Sequence, residues 1–248
     1  MSCSDERGLG LTRRSWLQLV ATVMVASAPS PSAAQDGLRS LLPEDQSTRD
    51  ESLQALLGTM RTIVRRKDSK ALGELMAPDF KVEFDVGKGP EAFRRHWESD
   101  TSTSAVWTIL DRLLALGGTF YSASLFALPY VYTRFPYDID PLSHVVATGE
   151  VPLHAGPNPA SPRVGTLKHS IVPLATPLTP PAMTCQQPFV ALQHPELGLC
   201  YVACSDVYSP AGHRAFFEKR RGQWRWLSLA APTLATPPVL LTGAGATP

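Results

Sequence analysis

The chain has 248 residues, 44% of them hydrophobic and 18% charged, enough apolar content for one or two ordinary globular domains and too much for a disordered or fibrous chain. Its 23 basic and 22 acidic side chains give a formal charge of +1, which supplies no electrostatic reason for nucleic acid or an acidic membrane surface to be the main partner. The 23 prolines outnumber the 17 glycines and favour loops and short strands over long helices.

At the N-terminus, Thr12-Arg13-Arg14-Ser15-Trp16-Leu17-Gln18 sets paired arginines before an apolar run from Leu17 to Ala28. This resembles a bacterial twin-arginine export signal, which implies a periplasmic or secreted protein that folds before export. The run is short of the roughly 20 residues that span a bilayer. Pro29 and Pro31 end it, so cleavage is expected and no membrane span remains after signal removal. Ser32-Ala33-Ala34 before Gln35 offers a small-residue cleavage site, whereas Ala26-Ser27-Ala28 is followed by Pro29, which hinders a peptidase. Residues 1–34 are therefore read as the signal. Their loss removes three arginines and two acidic residues, and the remaining 214 residues carry 20 basic and 20 acidic side chains.

Residues 35–47 read as a lead-in segment. Thr48 and Glu51 have the spacing of a capping box, and Leu53, Leu56, Leu57, Met60, Ile63 and Val64 recur on one face of a helix. Asp68 is placed to cap a second, short helix closed by Pro78. Phe80, Val82, Phe84 and Val86 alternate with charged residues in the two-residue period of a strand. After the turn Gly87-Lys88-Gly89, Pro90 suits the start of a helix carrying Phe93 and Trp97, and Ser104 starts another that Gly117-Gly118 ends. Asp79-Phe80 entering a strand after two helices, then the glycine turn and Glu91-Ala92-Phe93...Trp97, resembles the nuclear-transport-factor-2-like cone fold. Such a fold implies a curved sheet wrapped around helices.

From Thr119 to Ser143 no period emerges among many aromatic residues, which are expected to cover a core edge or a seam between modules. Val151-Pro152-Leu153-His154-Ala155-Gly156-Pro157, then Val164-Gly165-Thr166-Leu167, Ile171-Val172 and Leu199-Cys200-Tyr201-Val202, resembles a bacterial SH3-like domain. The resemblance implies a small β-barrel over residues 144–211 and a ligand-facing surface that includes Phe189, Tyr201 and Tyr208. Pro152 and His154 stand where that family has asparagine and arginine, and Phe189 where a tryptophan is typical. Arg214 to Ala230 alternates in two runs about Arg221-Gly222, a hairpin. A lone strand at Phe80 needs partners, so this hairpin is expected to return to it. The fold class is thus α+β: a cone-like domain over 48–143 plus 212–231, with the SH3-like barrel inserted. The uncharged tail 232–248 is read as disordered.

Among the cysteines, Cys3 belongs to the signal. Cys200 and Cys204 on one strand would lie about 13 Å apart, beyond the roughly 7 Å limit for a bridge, so any disulfide uses Cys185. Cys185 with Cys200 is the favoured pair, against the alternative that all three remain reduced. No metal or cofactor motif is present, and no catalytic elbow, phosphate loop or Cys-x-x-Cys is found. The expectation is an exported, non-catalytic protein that binds a cell-envelope peptide, glycan or protein. The alternative is a small-molecule-binding or hydrolytic cone whose interior uses His96, Glu98 or Asp111 as acid or base.

Overall fold

Helix α1 (Glu51–Arg66) forms because Leu53, Leu57, Met60, Ile63 and Val64 bury one face while Asp50 caps its start, the carboxylate accepting the Leu53 amide at 3.0 Å. The structure, a computed structural model, describes residues 37–82, 87–177, 187–230 and 232, all within one compact unit. Thr48 does not cap the helix as expected. It is drawn into a 3-10 turn, Ser47–Arg49, and the ionised Asp50 next to the helix is the stronger acceptor. Helix α2 (Ser69–Glu74) is capped by Asp68, which accepts the Ala71 amide at 3.0 Å.

Strand β1 (Met76–Lys81) begins four residues before the strand expected at Phe80, because α2 stops early and the chain enters the sheet at once. Phe80 and Val82 are buried, and residues 83–86 lie outside the described residues. Pro78 has no amide to donate and falls where the register of this strand is irregular. Helix α3 (Gly89–Trp97) carries Pro90 in its first turn, and α4 (Ala105–Leu116) starts at Ser104. The stretch without a readable period resolves into β2 (Thr119–Ser122), β3 (Leu125–Leu128) and α5 (Tyr130–Arg134). Four-residue strands are too short to display a period in sequence.

The C-terminal hairpin is β11 (Arg214–Arg220) and β12 (Gln223–Ala230), turned by Arg221 and Gly222, both at positive φ as a two-residue hairpin turn requires. It sits at the centre of a five-stranded sheet ordered β1-β12-β11-β3-β2, with β12 parallel to β1 and the other pairs antiparallel. Arg220 ties the hairpin tip to β1 through two bonds to Asp79, at 2.8 and 3.0 Å.

Between β3 and β11 lie β4 (His144–Ala147), β5 (Glu150–His154), β6 (Arg163–Lys168), β7 (Ile171–Pro173), β8 (Phe189–His194), β9 (Gly198–Ala203) and β10 (Val207–Tyr208). They form a three-stranded sheet, β10-β4-β7, and a four-stranded sheet, β6-β5-β9-β8. The fold is mixed α+β, as expected, but no closed barrel forms among the described residues. Among the described residues β7 meets β8 through one bridge, Leu174 to Leu192, and the Ala175 amide on Ala191 O, and Pro173, which ends β7, has no amide to extend that pairing.

Two cores result. The first gathers the helices and the five-stranded sheet around Phe80, Phe93 and Trp226, whose rings meet edge-on at centroid distances of 4.8 to 5.6 Å. The second fills the space between the two smaller sheets, with Leu153, Leu167, Leu192, Cys200 and Val202. The three-stranded sheet belongs to both. Val146, Ile171 and Tyr208 face the first core, whereas Val145, Ala147, Val172 and Val207 face the second.

The lead-in segment is a strap across this assembly. Arg39 O accepts the Ile171 amide and Leu41 N donates to His169 O at the edge of β7. Seven residues after Arg39, Gln46 N donates to Gly118 O, and its side-chain oxygen accepts the Phe120 amide at the edge of β2. Phe93→Ala removes the ring that bridges Phe80 and Trp226 and is expected to cost about 3–5 kcal/mol of unfolding free energy, read from urea denaturation at unchanged m-value.

Candidate binding face

Strand alternation divides the four-stranded sheet into a core side and an outer side. Val151 and Leu153 on β5, Leu192 on β8, and Cys200 and Val202 on β9 point into the second core. Pro152, His154, Phe189, Ala191, Tyr201 and Ala203 therefore share the other face, and each is half-buried. Cross-strand register sets His154 opposite Tyr201, Tyr201 opposite Ala191, and Phe189 opposite Ala203. The His154 ring meets Phe189 edge-on at 5.8 Å. Leu199, 55% exposed, extends the same face along β9, and Val164, 37% exposed, extends it on β6.

The imidazole is held by its turn. His154 Nδ1 lies 3.1 Å from Ser161 O, and a carbonyl only accepts, so Nδ1 is the donor and, in the neutral ring, Nε2 is the acceptor. Gly156 permits that turn, since a Cβ there would stand 2.7 Å from Ser161 Oγ. Beside it the Arg163 guanidinium is spent on Thr166 Oγ1 and on Gly165 O. This face offers two aromatic rings and one fixed acceptor on a rigid sheet, a surface suited to stacking and a directed hydrogen bond.

Of the three residues expected to face a ligand, Phe189 and Tyr201 come together and Tyr208 does not. Tyr208 is 8% exposed and lies in the first core, its hydroxyl donating to His213 O at 2.7 Å under the Arg112 guanidinium, 5.0 Å from the ring centre. Burial drives its phenol well above the ordinary value. The two-residue strand β10 sits in the sheet with a core on each side, so one of its side chains enters each core. In the sequence, His154 stands out only as a histidine where the SH3-like pattern it resembles has arginine.

The disulfide expectation is corrected. Cys200 is a free, fully buried thiol facing the second core, its pKa raised by that burial. Cys204 is the bridged cysteine, just past the end of β9, and its partner lies outside the described residues, as does Cys185. Strand alternation sends Cys200 inward among Leu192 and Val202, where no second cysteine of the described residues is found.

The carboxylates and histidine of the alternative reading do not meet in an interior: His96, Glu98 and Asp111 are all exposed, and the space between helices and sheet is filled by apolar side chains. Arg13, Arg14 and most of the tail lie outside the described residues. No helix among the described residues is long and apolar enough to cross a membrane. Peptide mapping after unfolding without reductant is expected to find Cys200 alkylated and Cys204 protected, whereas labelling of the native protein leaves Cys200 unmodified.

No family model matches the chain, and no curated protein matches it. Among solved structures it is similar to an NTF2-like protein with a cystatin-like fold from Novosphingobium aromaticivorans, at 12% identity, over 75% of this chain and 82% of that one, with a TM-score of 0.28.

Proposed function

We propose that the protein is exported by a twin-arginine signal and acts in the periplasm or outside the cell as a non-catalytic binding factor for a cell-envelope peptide, glycan or protein. The observation that carries this reading is the gathering of His154, Phe189 and Tyr201 on one half-exposed face of the four-stranded sheet. The short antiparallel strands of 144–211 support an open SH3-like module, and the helices packed on the five-stranded sheet support a cone-like domain whose interior serves as core. The pattern of Arg13 and Arg14 before an apolar run supports export.

Isolated cell-wall sacculi are expected to retain the mature protein at low salt, and Phe189→Ala with Tyr201→Ala to weaken retention at least tenfold at unchanged circular dichroism. Absence of retention by the folded protein removes the glycan form of the proposal. Replacing Arg13 and Arg14 by lysine is expected to leave the precursor in the cytoplasm. N-terminal sequencing of the exported protein is expected to start at Gln35.

A further inference from the structure

The segment that joins β10 to β11 runs through the interior: every residue from Val207 to Phe217 is buried. Such a stretch must satisfy its own backbone. The Gly212 amide donates to Ser209 O, the Ala211 amide to Ser209 Oγ, and Tyr208 Oη to His213 O. There is no slack, because a Cβ on Gly212 would stand 2.9 Å from Ser209 O and 3.1 Å from Tyr208 Cε1.

His213 lies in this segment at 9% exposure, its ring 5.8 Å from that of Trp97 at the end of α3. Among the described residues, the charged and titratable groups about it are these. Arg214 follows it on β11, with its guanidinium 4.8 Å from the Tyr132 ring. From α4, Arg112 lies over Tyr208 of β10 and donates to Cys204 O and Ser205 O, and Asp206 is an acidic group acting on it. His96 of α3 stands against the same Trp97. Among the described residues no carboxylate forms an ion pair with His213.

We propose that His213 is an acid-operated latch in the buried segment that joins β10 to β11: when its imidazole takes a proton from solvent, a cation forms beside the Arg214 guanidinium and the Trp97 ring, and the 207–217 segment loosens. The neutral imidazole is the form the folded chain accepts. Burial, then Arg214, hold its pKa down from 6.5 to about 4. A base depressed in the folded state lends stability that is complete above 6.5 and drains as pH falls from 6.5 towards about 4. The carboxylates held low by partners act in a different window: Asp50 beside Lys219 and Ser52, Asp79 beside Arg220, and Asp140 beside Ser143 lose their contribution only as pH falls below their ordinary 3.8. The two effects are therefore separable.

The test is hydrogen exchange of the whole mature protein between pH 7.5 and 3.5, corrected for intrinsic exchange rates. Protection of 207–217 is expected to fall with a midpoint between 6.5 and 4, ahead of β5 and β9. His213→Gln and His213→Phe, compared at pH 7 by circular dichroism to establish that they fold, are expected to move that midpoint down by at least one pH unit. An unchanged midpoint in a folded variant overturns the proposal, as does earlier opening of β5 and β9. If neither variant folds, NMR of the wild-type chain decides: amide signals of 207–217 that change together with the His213 ring titration support the latch, and a His213 titration that leaves them unchanged overturns it.

Discussion

The three-stranded sheet β10-β4-β7 is buried on both faces, and the rest of the molecule is arranged around that fact. On β4, Val145 and Ala147 face one core while Val146, between them, faces the other. Ordinary antiparallel sheets in small domains keep one face wet and write it in polar residues. Here both faces are apolar, so neither the helical layer nor the four-stranded sheet can withdraw without exposing a row of side chains, each worth roughly 1.5–3 kcal/mol when fully buried. What reads in sequence as a module inserted into a domain is in space a pair of layers sharing a wall.

The polar ties reinforce that wall at its margins. Arg112 reaches from α4 to the carbonyls of Cys204, Ser205 and Val207, so one guanidinium satisfies the turn that delivers the chain into β10. Its burial disfavours the charged form, and the bonds to these carbonyls set the guanidinium against that cost. The strap from Arg39 to Gln46 does the same for two sheet edges, with Gln46 pairing at β2 through both its amide and its side-chain oxygen. Lys219 binds the cap of α1 at 2.7 Å, so the long helix and the C-terminal hairpin are held by the same carboxylate.

This arrangement leaves the outer face of the four-stranded sheet as the place where aromatic side chains and a fixed acceptor stand together and half-exposed. The first core is closed by Phe80, Phe93, Trp226 and their neighbours, and the second by the leucines and valines between the smaller sheets. The outer positions of β5, β8 and β9 owe their freedom to alternation alone: the same pleat that buries Leu153, Leu192 and Cys200 turns His154, Phe189 and Tyr201 outward. A one-residue slip in register would bury the rings and expose the core.

How much of this was legible in the sequence depended on the range of the force responsible. The helices at Glu51 and Ala105 and the hairpin about Arg221-Gly222 follow from local spacing and turn chemistry, although Asp50 rather than Thr48 caps the first; Phe189 and Tyr201 share the outer face through alternation. The strands at Thr119 and Leu125, the absence of a closed barrel among the described residues, the inward turn of Tyr208 and the choice of Cys204 over Cys200 for the disulfide depend on what lies across the chain from them. The α+β class is written in the sequence, because hydrophobic period and capping act within a few residues. The tertiary structure alone decided which face of each short strand is buried, because a strand of two to four residues carries too little pattern to choose and takes its orientation from the cores it is pressed between.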